Sequence, residues 1–201
     1  AGGDVKDMAT NKEHQPLEEK TKSLRKLMEI SKLLYNCSVP TVAVITGPAA
    51  GAGLALSLAC DFRIANENAK FTTAFSKVAF SGDFGAIYFL SKLVGQSKAK
   101  ELFYFSEVFD AQKAKSLGIV NYLINEKEID AYLLKMKNNI RKLPPVAIKY
   151  AKKNMKNAEL NNLDFYLDEE ALYQMICSET NDHKNAVEAF VKKEAPIFNG
   201  N

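Results

Sequence analysis

The sequence predicts an α/β domain that runs into an all-helical C-terminal region. Three observations predict it. Residues 41–45 and 62–65 are short apolar, partly β-branched runs, and they flank a small-residue stretch, 49–59, in which Leu54 and Leu58 lie one helical turn apart. A third β-branched, alternating run occupies 119–124. From Glu126 onward apolar residues recur only at helical spacing.

The elements follow in order. Asp4 to Met8 reads as a helix start and Thr10 to Pro16 as a polar loop; Leu17 to Asn36 then reads as one amphipathic helix, with Leu24, Leu27, Met28, Ile30, Leu33 and Leu34 on its apolar face. Thr41–Ile45 suits a buried strand behind Pro40, and Gly47-Pro48 breaks it. A helix starts around Gly51. Phe62–Ala65 is the second strand, 66–70 a turn, and Phe71–Thr73 a third extended piece. Strand, helix, strand in this order implies a right-handed crossover and a layered domain.

Residues 75–85, FSKVAFSGDFG, interrupt the pattern with aromatics crowded around one acid, Asp83, between Gly82 and Gly85. Helices are expected at 86–94, ended by Gly95, and at 98–105; Val108 is a short extended residue. Asp110 caps a helix over 111–117 that Gly118 terminates, and 119–124 is a strand. The helices 129–143, 145–157, 163–176 and 181–193 complete the chain, with Pro144-Pro145 as a hinge. The expected division is an α/β core over 1–125 and a helical region over 126–201.

Composition narrows the function classes. The net charge is only +3 and the lysines are interleaved with acids, which argues against a nucleic-acid partner. Lys70, Lys77 and the lysine-rich stretch 135–156 remain available to an anionic ligand. Cys37, Cys60 and Cys177 are odd in number and widely spaced, so reduced, buried thiols and a reducing, cytoplasmic setting are expected. His14 and His183 are isolated, and no metal-ligand cluster follows from them. The longest apolar run is too short to span a membrane, and no signal peptide is visible. The opening AGGDVKDM runs a glycine pair straight into a helix turn, which suggests upstream sequence beyond it.

The junction at 47–53 carries two readings. A helix that begins among Ala and Gly leaves bare backbone N–H groups at its N-terminus, suited to a carbonyl oxygen that is gaining negative charge. Small residues there also let strand and helix pack closely. The nucleotide-binding glycine patterns do not fit: Leu56 stands where G-x-G-x-x-G needs its last glycine, and no G-K-[ST] follows a glycine run.

Several stretches together resemble the enoyl-CoA hydratase/isomerase, or crotonase, family. They are P-x-x-A-x-x-x-G-x-A-x-G-x-G followed by C-D-x-R-I-A over 39–65, the opening AGGDVK, FSKVAFSGDFGAIYFLSKLVG, AQKAKSLGIVNYLI, the P-P-x-A-x-x-x-A-K-x helix near Lys149, and the closing AFVKKEAPIF. They occur in family order across essentially the whole chain. The resemblance implies a crotonase-like spiral of ββα turns with a helical trimerisation region, hence a homotrimer or hexamer. The family's first turns, ahead of AGGD, have no counterpart here.

The resemblance also implies a site. The backbone N–H groups of Gly3 and Ala52 would form an oxyanion hole for the carbonyl of an acyl-CoA thioester. Ala1, Gly2 and Asp4 would line the CoA channel, with Ala55, Phe75 and Phe84 also among the substrate- or CoA-binding residues. No separate cofactor is implied, since coenzyme A is part of the substrate. The shared mechanism is stabilisation of an enolate. Ala55 and Phe75 occupy the positions where the family's hydratases carry their two glutamates, so water activation by that pair is lost.

Asp83 remains, in the place of the single acid that several enoyl-CoA isomerases of the family use. Its expected role is proton transfer between carbons of the acyl chain, with Phe75, Phe80, Phe84 and Tyr88 excluding water. The bland reading is that Asp83 caps the helix that starts near Gly85. Hydratase-like or decarboxylase-like chemistry with other acids, and a non-catalytic acyl-CoA binder, are the alternatives. Glu101, Glu107 and Asp110 fall on an expected surface helix and its successor's cap; Ser76 and Ser81 have no histidine partner. Lys192 and Lys193 fit a solvated helix face better than a phosphate contact.

Overall fold

A computed structural model describes residues 16–158 and 162–201. Ala1, Gly2, Gly3 and Asp4, with the helix start and loop expected ahead of Pro16, lie outside the described residues. Where one helix was expected over 17–36 there are two, α1 (Leu17–Leu27) and α2 (Glu29–Asn36). Met28 tightens the chain between them: its N–H donates to Leu24 O, and Ser31 N–H donates back to Met28 O, a three-residue step. No Gly or Pro marks that step. Leu24, Leu27, Ile30 and Leu33 are exposed, whereas Leu34 and Tyr35 pack on the core.

The next elements are β1 (Val42–Ile45), β2 (Pro48–Ala50), α3 (Ala52–Leu58), β3 (Phe62–Ala65) and β4 (Lys70–Thr72). After a 3-10 turn at Phe75–Val78 come α4 (Ala86–Phe105), β5 (Phe109–Asp110), α5 (Ala111–Ser116) and β6 (Tyr122–Leu123). Two small sheets form, ordered β1-β3-β6 and β2-β4-β5. Successive strands alternate between them: Val42 pairs with Phe62 in one and Pro48 with Lys70 in the other, both parallel. β6 joins β3 in parallel, and β5 joins β4 antiparallel. Two turns of the chain thus each send a strand to both sheets and then a helix across them.

β2 was not expected, because Pro48-Ala49-Ala50 has no β-branched residue. It forms at the edge of its sheet among the described residues, where a proline's missing N–H costs no ladder bond. The strand expected at 119–124 shrinks to Tyr122–Leu123. Ile119 and Val120 are buried outside the ladder, and Val120 N–H donates to Ala114 O instead. Val108 is exposed, and the extended pair there is Phe109–Asp110. Gly95 does interrupt α4 as expected (φ 75, ψ 161), and the Asp110 side chain does cap α5 by accepting from Lys113 N–H.

The core joins Leu54, Leu58, Phe71, Leu90, Phe109, Ile119 and Val120, with Phe71 and Phe109 stacked at 5.7 Å. Polar clasps explain the C-D-x-R motif. Asp61 accepts from Thr41 N–H at 2.7 Å and from its hydroxyl at 3.0 Å, fixing the start of β1 beside β3. The buried Arg63 guanidinium donates to Ile119 O at 2.5 Å and Cys60 O at 2.6 Å, and desolvation lowers its pKa. Cys37, Cys60 and Cys177 form no disulfide with one another and are half-buried rather than buried; desolvation raises the pKa of Cys177.

The chain divides into two compact units, Ala1–Cys37 with Thr41–Tyr132, and Ser38–Pro40 with Leu133–Asn201. Helix α6 (Ile129–Ile140) begins in the first unit and continues into the second, and α7 (Pro145–Asn157), α8 (Leu163–Ser178) and α9 (Asn181–Lys192) belong to the second. Within it Tyr150 stacks on Tyr173 at 4.7 Å, and the Lys153 ammonium lies 4.5 Å from the Tyr173 ring centre. The buried Asp182 carboxylate accepts from the N–H groups of Asn199 and Gly200 at 2.7 and 2.8 Å, tying the C-terminal segment to the start of α9. Phe165, Leu172, Met175, Phe190, Val191 and Ile197 stay exposed. Among the described residues no helix is long and apolar enough to cross a membrane.

Candidate functional site

Gly51 opens the site. Its φ of 53° and ψ of −123° lie where only glycine is comfortable, and its N–H donates to Thr72 O, so the chain turns sharply from β2 into α3. A Cβ built on Gly51 would sit 3.8 Å from the Phe75 ring, which places the turn directly over that aromatic. Ala52 is the first helical residue and has an ordinary negative φ, so an alanine costs nothing there. Ala55 N–H donates to Gly51 O, but the Ala52 N–H has no acceptor among the described residues, as the first turn of a helix dictates.

Three sequence-predicted residues come together beneath this turn. Ala55, Phe75, Ala86 and Phe103 form one buried apolar cluster, and Phe84 packs against it. Phe75 and Phe103 stack with ring centres 5.8 Å apart and planes 17° from parallel. Ala55 and Phe75, the positions at which the resemblance implies glutamates in hydratases, are thus packed shut by hydrocarbon. Phe103 escaped the sequence reading, since on its helix it resembles any core aromatic. The available signal was Gly82, whose Cβ would lie 3.1 Å from the Phe103 ring. Phe80 and Tyr88, expected to shield Asp83, are exposed instead; Tyr88 packs on Tyr35 and Phe89.

Asp83 sits on the loop between the 3-10 turn and α4. That loop is strained: Ala79, Gly82, Phe84 and Gly85 all have φ between 49° and 98°, and Ala74, just ahead of the 3-10 turn, has φ 60°. Each non-glycine residue held there costs about 1–2 kcal/mol, and such strain concentrates at functional segments. The Asp83 main-chain carbonyl accepts from Ala86 N–H at 2.9 Å, while α4 has Gly85 at its cap and no side-chain capping bond. Capping is therefore not the role of the Asp83 side chain. Its Oδ1 is buried with no hydrogen-bond partner among the described residues, and burial raises its pKa above the usual carboxylate value.

The other candidates are committed elsewhere. Asp110 caps α5 and Glu101 pairs with Lys98; both line, with Lys70, Glu107 and Lys113, a cleft of about 560 Å³. The Ser76 hydroxyl donates to Ser106 Oγ at 2.8 Å. Among the described residues no three His, Cys, Asp or Glu side chains gather to hold a metal ion.

A family model described as enoyl-CoA hydratase/isomerase matches residues 1–201. The chain belongs to that family. It is 36% identical to "Probable enoyl-CoA hydratase 2, mitochondrial" of Arabidopsis thaliana, covering 100% of this chain and 65% of the relative. It is 30% identical to 1,2-epoxyphenylacetyl-CoA isomerase of Escherichia coli, covering 80% of this chain and 62% of that protein. The chain thus spans less than two thirds of the length of these relatives. The crystal structure of an enoyl-CoA hydratase from Bacillus anthracis superimposes with a TM-score of 0.91 at 28% identity, covering 100% of this chain and 76% of that one. The two sheets fed alternately by successive turns are the crotonase fold, and hydratases and isomerases both stand among this chain's relatives.

Proposed function

We propose that this crotonase-family chain acts on acyl-CoA thioesters as an enoyl-CoA isomerase, with Asp83 as the proton carrier. The observation that carries the reading is the Asp83 carboxylate: its Oδ1 is buried with no hydrogen-bond partner among the described residues, it takes no part in capping, and burial raises its pKa. A desolvated carboxylate is a stronger base than one in water. Asp83 takes the proton from C2 of a 3-enoyl thioester; the C2–H electrons form the C2–C3 double bond as the old double bond accepts the proton at C4. Negative charge on the thioester oxygen between these steps is held by the N–H groups of Ala52 and Gly3. In this reading Ala1, Gly2 and Asp4 would serve the CoA channel, and Phe84, packed against the buried Ala55 and Phe75 cluster, would be the member of that set nearest the substrate. No cofactor beyond the substrate's own coenzyme A is proposed.

The Ala55 and Phe75 cluster supports isomerisation over hydration, since neither side chain can activate water. Hydration is the second reading, favoured by the hydratase name of the Arabidopsis relative. We propose further that the exposed apolar residues of α8 and α9 assemble a homotrimer or hexamer, and that three cysteines without a disulfide between them suit a reducing compartment such as the cytoplasm. The deciding experiment offers 3-enoyl-CoA and 2-enoyl-CoA separately. Isomerisation without hydration, abolished by Asp83→Asn, is expected; hydration of the 2-enoyl substrate, or full turnover by Asp83→Asn, overturns the reading. Binding without turnover of either substrate identifies a non-catalytic acyl-CoA binder.

A further inference from the structure

We infer that Phe103 is a positioning residue for Asp83: its ring, stacked on Phe75 and seated against Gly82, holds the loop that presents the Asp83 carboxylate. The inference rests on the isomerase reading for its catalytic consequence, but its geometry stands independently of it.

Three observations converge on Phe103. Its Cζ and Cε2 lie 3.1 and 3.2 Å from where a Gly82 Cβ would be, so the ring presses on the backbone immediately before Asp83. Gly82 has φ +98, a conformation that side chains rarely adopt, and only a bare glycine lets the ring approach so closely. On its other side the ring stacks on Phe75 within the cluster that holds Ala55, Ala86 and Phe84. Residues 82, 84 and 86, around Asp83, therefore all bear on this one aromatic cluster.

The stack is itself pinned. Phe75 lies between Thr73 and Ser76, and Phe103 lies one turn before Ser106. The Thr73 hydroxyl bonds Leu102 O at 3.0 Å and meets Ser106 Oγ at 2.7 Å; Ser76 donates to the same Ser106 oxygen at 2.8 Å. The Ser106 hydroxyl is also 2.9 Å from Phe103 O. Thr73 and Ser106 are both buried. These hydroxyls lock the 3-10 turn to the end of α4, so the ring that rests on Gly82 has no freedom to withdraw. Among the described residues α3 and the first turn of α4 bring no carboxylate or cationic side chain to Asp83, the one titratable group there being the exposed Tyr88 phenol; Lys77 on the 3-10 turn is exposed, and the pKa shift comes from burial.

The test compares Phe103→Leu with Phe71→Leu, a core aromatic of the two-sheet layer stacked on Phe109. In the full chain, the Asp83 carboxyl is titrated by NMR with 13C-labelled aspartate, its resonance assigned by Asp83→Asn, and kcat and KM are measured on 3-enoyl-CoA. Phe103→Leu is expected to lower the Asp83 titration midpoint and to reduce kcat on the order of tenfold to a hundredfold, the scale of a misplaced reacting group, with KM little changed. Phe71→Leu is expected to lose stability with the Asp83 midpoint unmoved. An unchanged midpoint and kcat in folded Phe103→Leu overturns the inference, as does an equal midpoint shift in Phe71→Leu. Should Phe103→Leu not fold, Phe103→Met is read by the same criteria. A midpoint that moves while Asp83→Asn retains full turnover leaves Phe103 as the support of Asp83 and sinks the isomerase reading alone.

Discussion

A glutamate placed at position 55 should damage the protein before it creates a hydratase. Ala55 is 0% exposed and its cluster neighbours Phe75, Ala86 and Phe103 are each under 10% exposed, so Ala55→Glu has no vacant volume to enter. Overpacking of this kind costs about 1–3 kcal/mol. A buried carboxylate with no partner adds about 3–5 kcal/mol when ionised. The variant therefore loses about 4–8 kcal/mol near neutral pH, a large share of the 5–15 kcal/mol that stabilises a typical domain. Burial raises the new carboxyl's folded pKa above its unfolded value, so the charge-related loss is complete above the folded pKa and disappears as pH falls below the unfolded one. Urea unfolding followed by far-UV circular dichroism suits a chain with 0 tryptophans. At about pH 8 the midpoint should collapse, and toward about pH 4 the gap to wild type should narrow to the overpacking cost. Combining Ala55→Glu with Phe75→Ala should cost less than the sum of the two, because the ring's space receives the side chain. Wild-type stability of Ala55→Glu at about pH 8, or hydration of 2-enoyl-CoA by that single variant, would refute the packed-shut cluster.

Other perturbations probe other parts. Asp83→Asn should stabilise the protein above the folded pKa of Asp83, because a raised pKa means that ionised Asp83 weakens the fold; the gain should vanish at pH below the unfolded carboxyl value, as thermal melts across pH will report. Gly85→Ala should cost about 2–4 kcal/mol by urea unfolding, since its Cβ would stand 2.7 Å from the Phe89 ring at φ +80. Gly118→Ala, with φ +74 and nothing within 4 Å, should cost only the backbone part, about 1–2 kcal/mol. Asp182→Ala should release the C-terminal segment, each lost charge-assisted bond being worth about 1.5–3 kcal/mol, and hydrogen exchange at the Asn199 and Gly200 amides should accelerate while those of α4 stay unchanged.

Local chemistry made much of the fold legible. Asp110 before Ala111, Gly95 inside α4 and Pro145 at the head of α7 act through their own backbone geometry, so their effects appear in the sequence where they occur in space. β2 and the break at Met28 were illegible for the opposite reason. Pro48–Ala50 is extended only because β4 lies beside it, and no residue near Met28 has a propensity that would announce a step. The free side of α1 and α2, with Leu24, Leu27, Ile30 and Leu33 exposed, likewise shows that an apolar stripe predicts a face without saying what covers it.

The sequence by itself determined the family, and it was enough to single out Ala55, Phe75 and Asp83 as candidates, because each depends on which residue stands at a given place in the chain. The tertiary structure alone decided what surrounds them. It separated Asp83 from helix capping, removed Phe80 and Tyr88 from its shield and put Phe103 behind Gly82, since burial and ring contacts arise between segments some twenty residues apart that no local pattern relates.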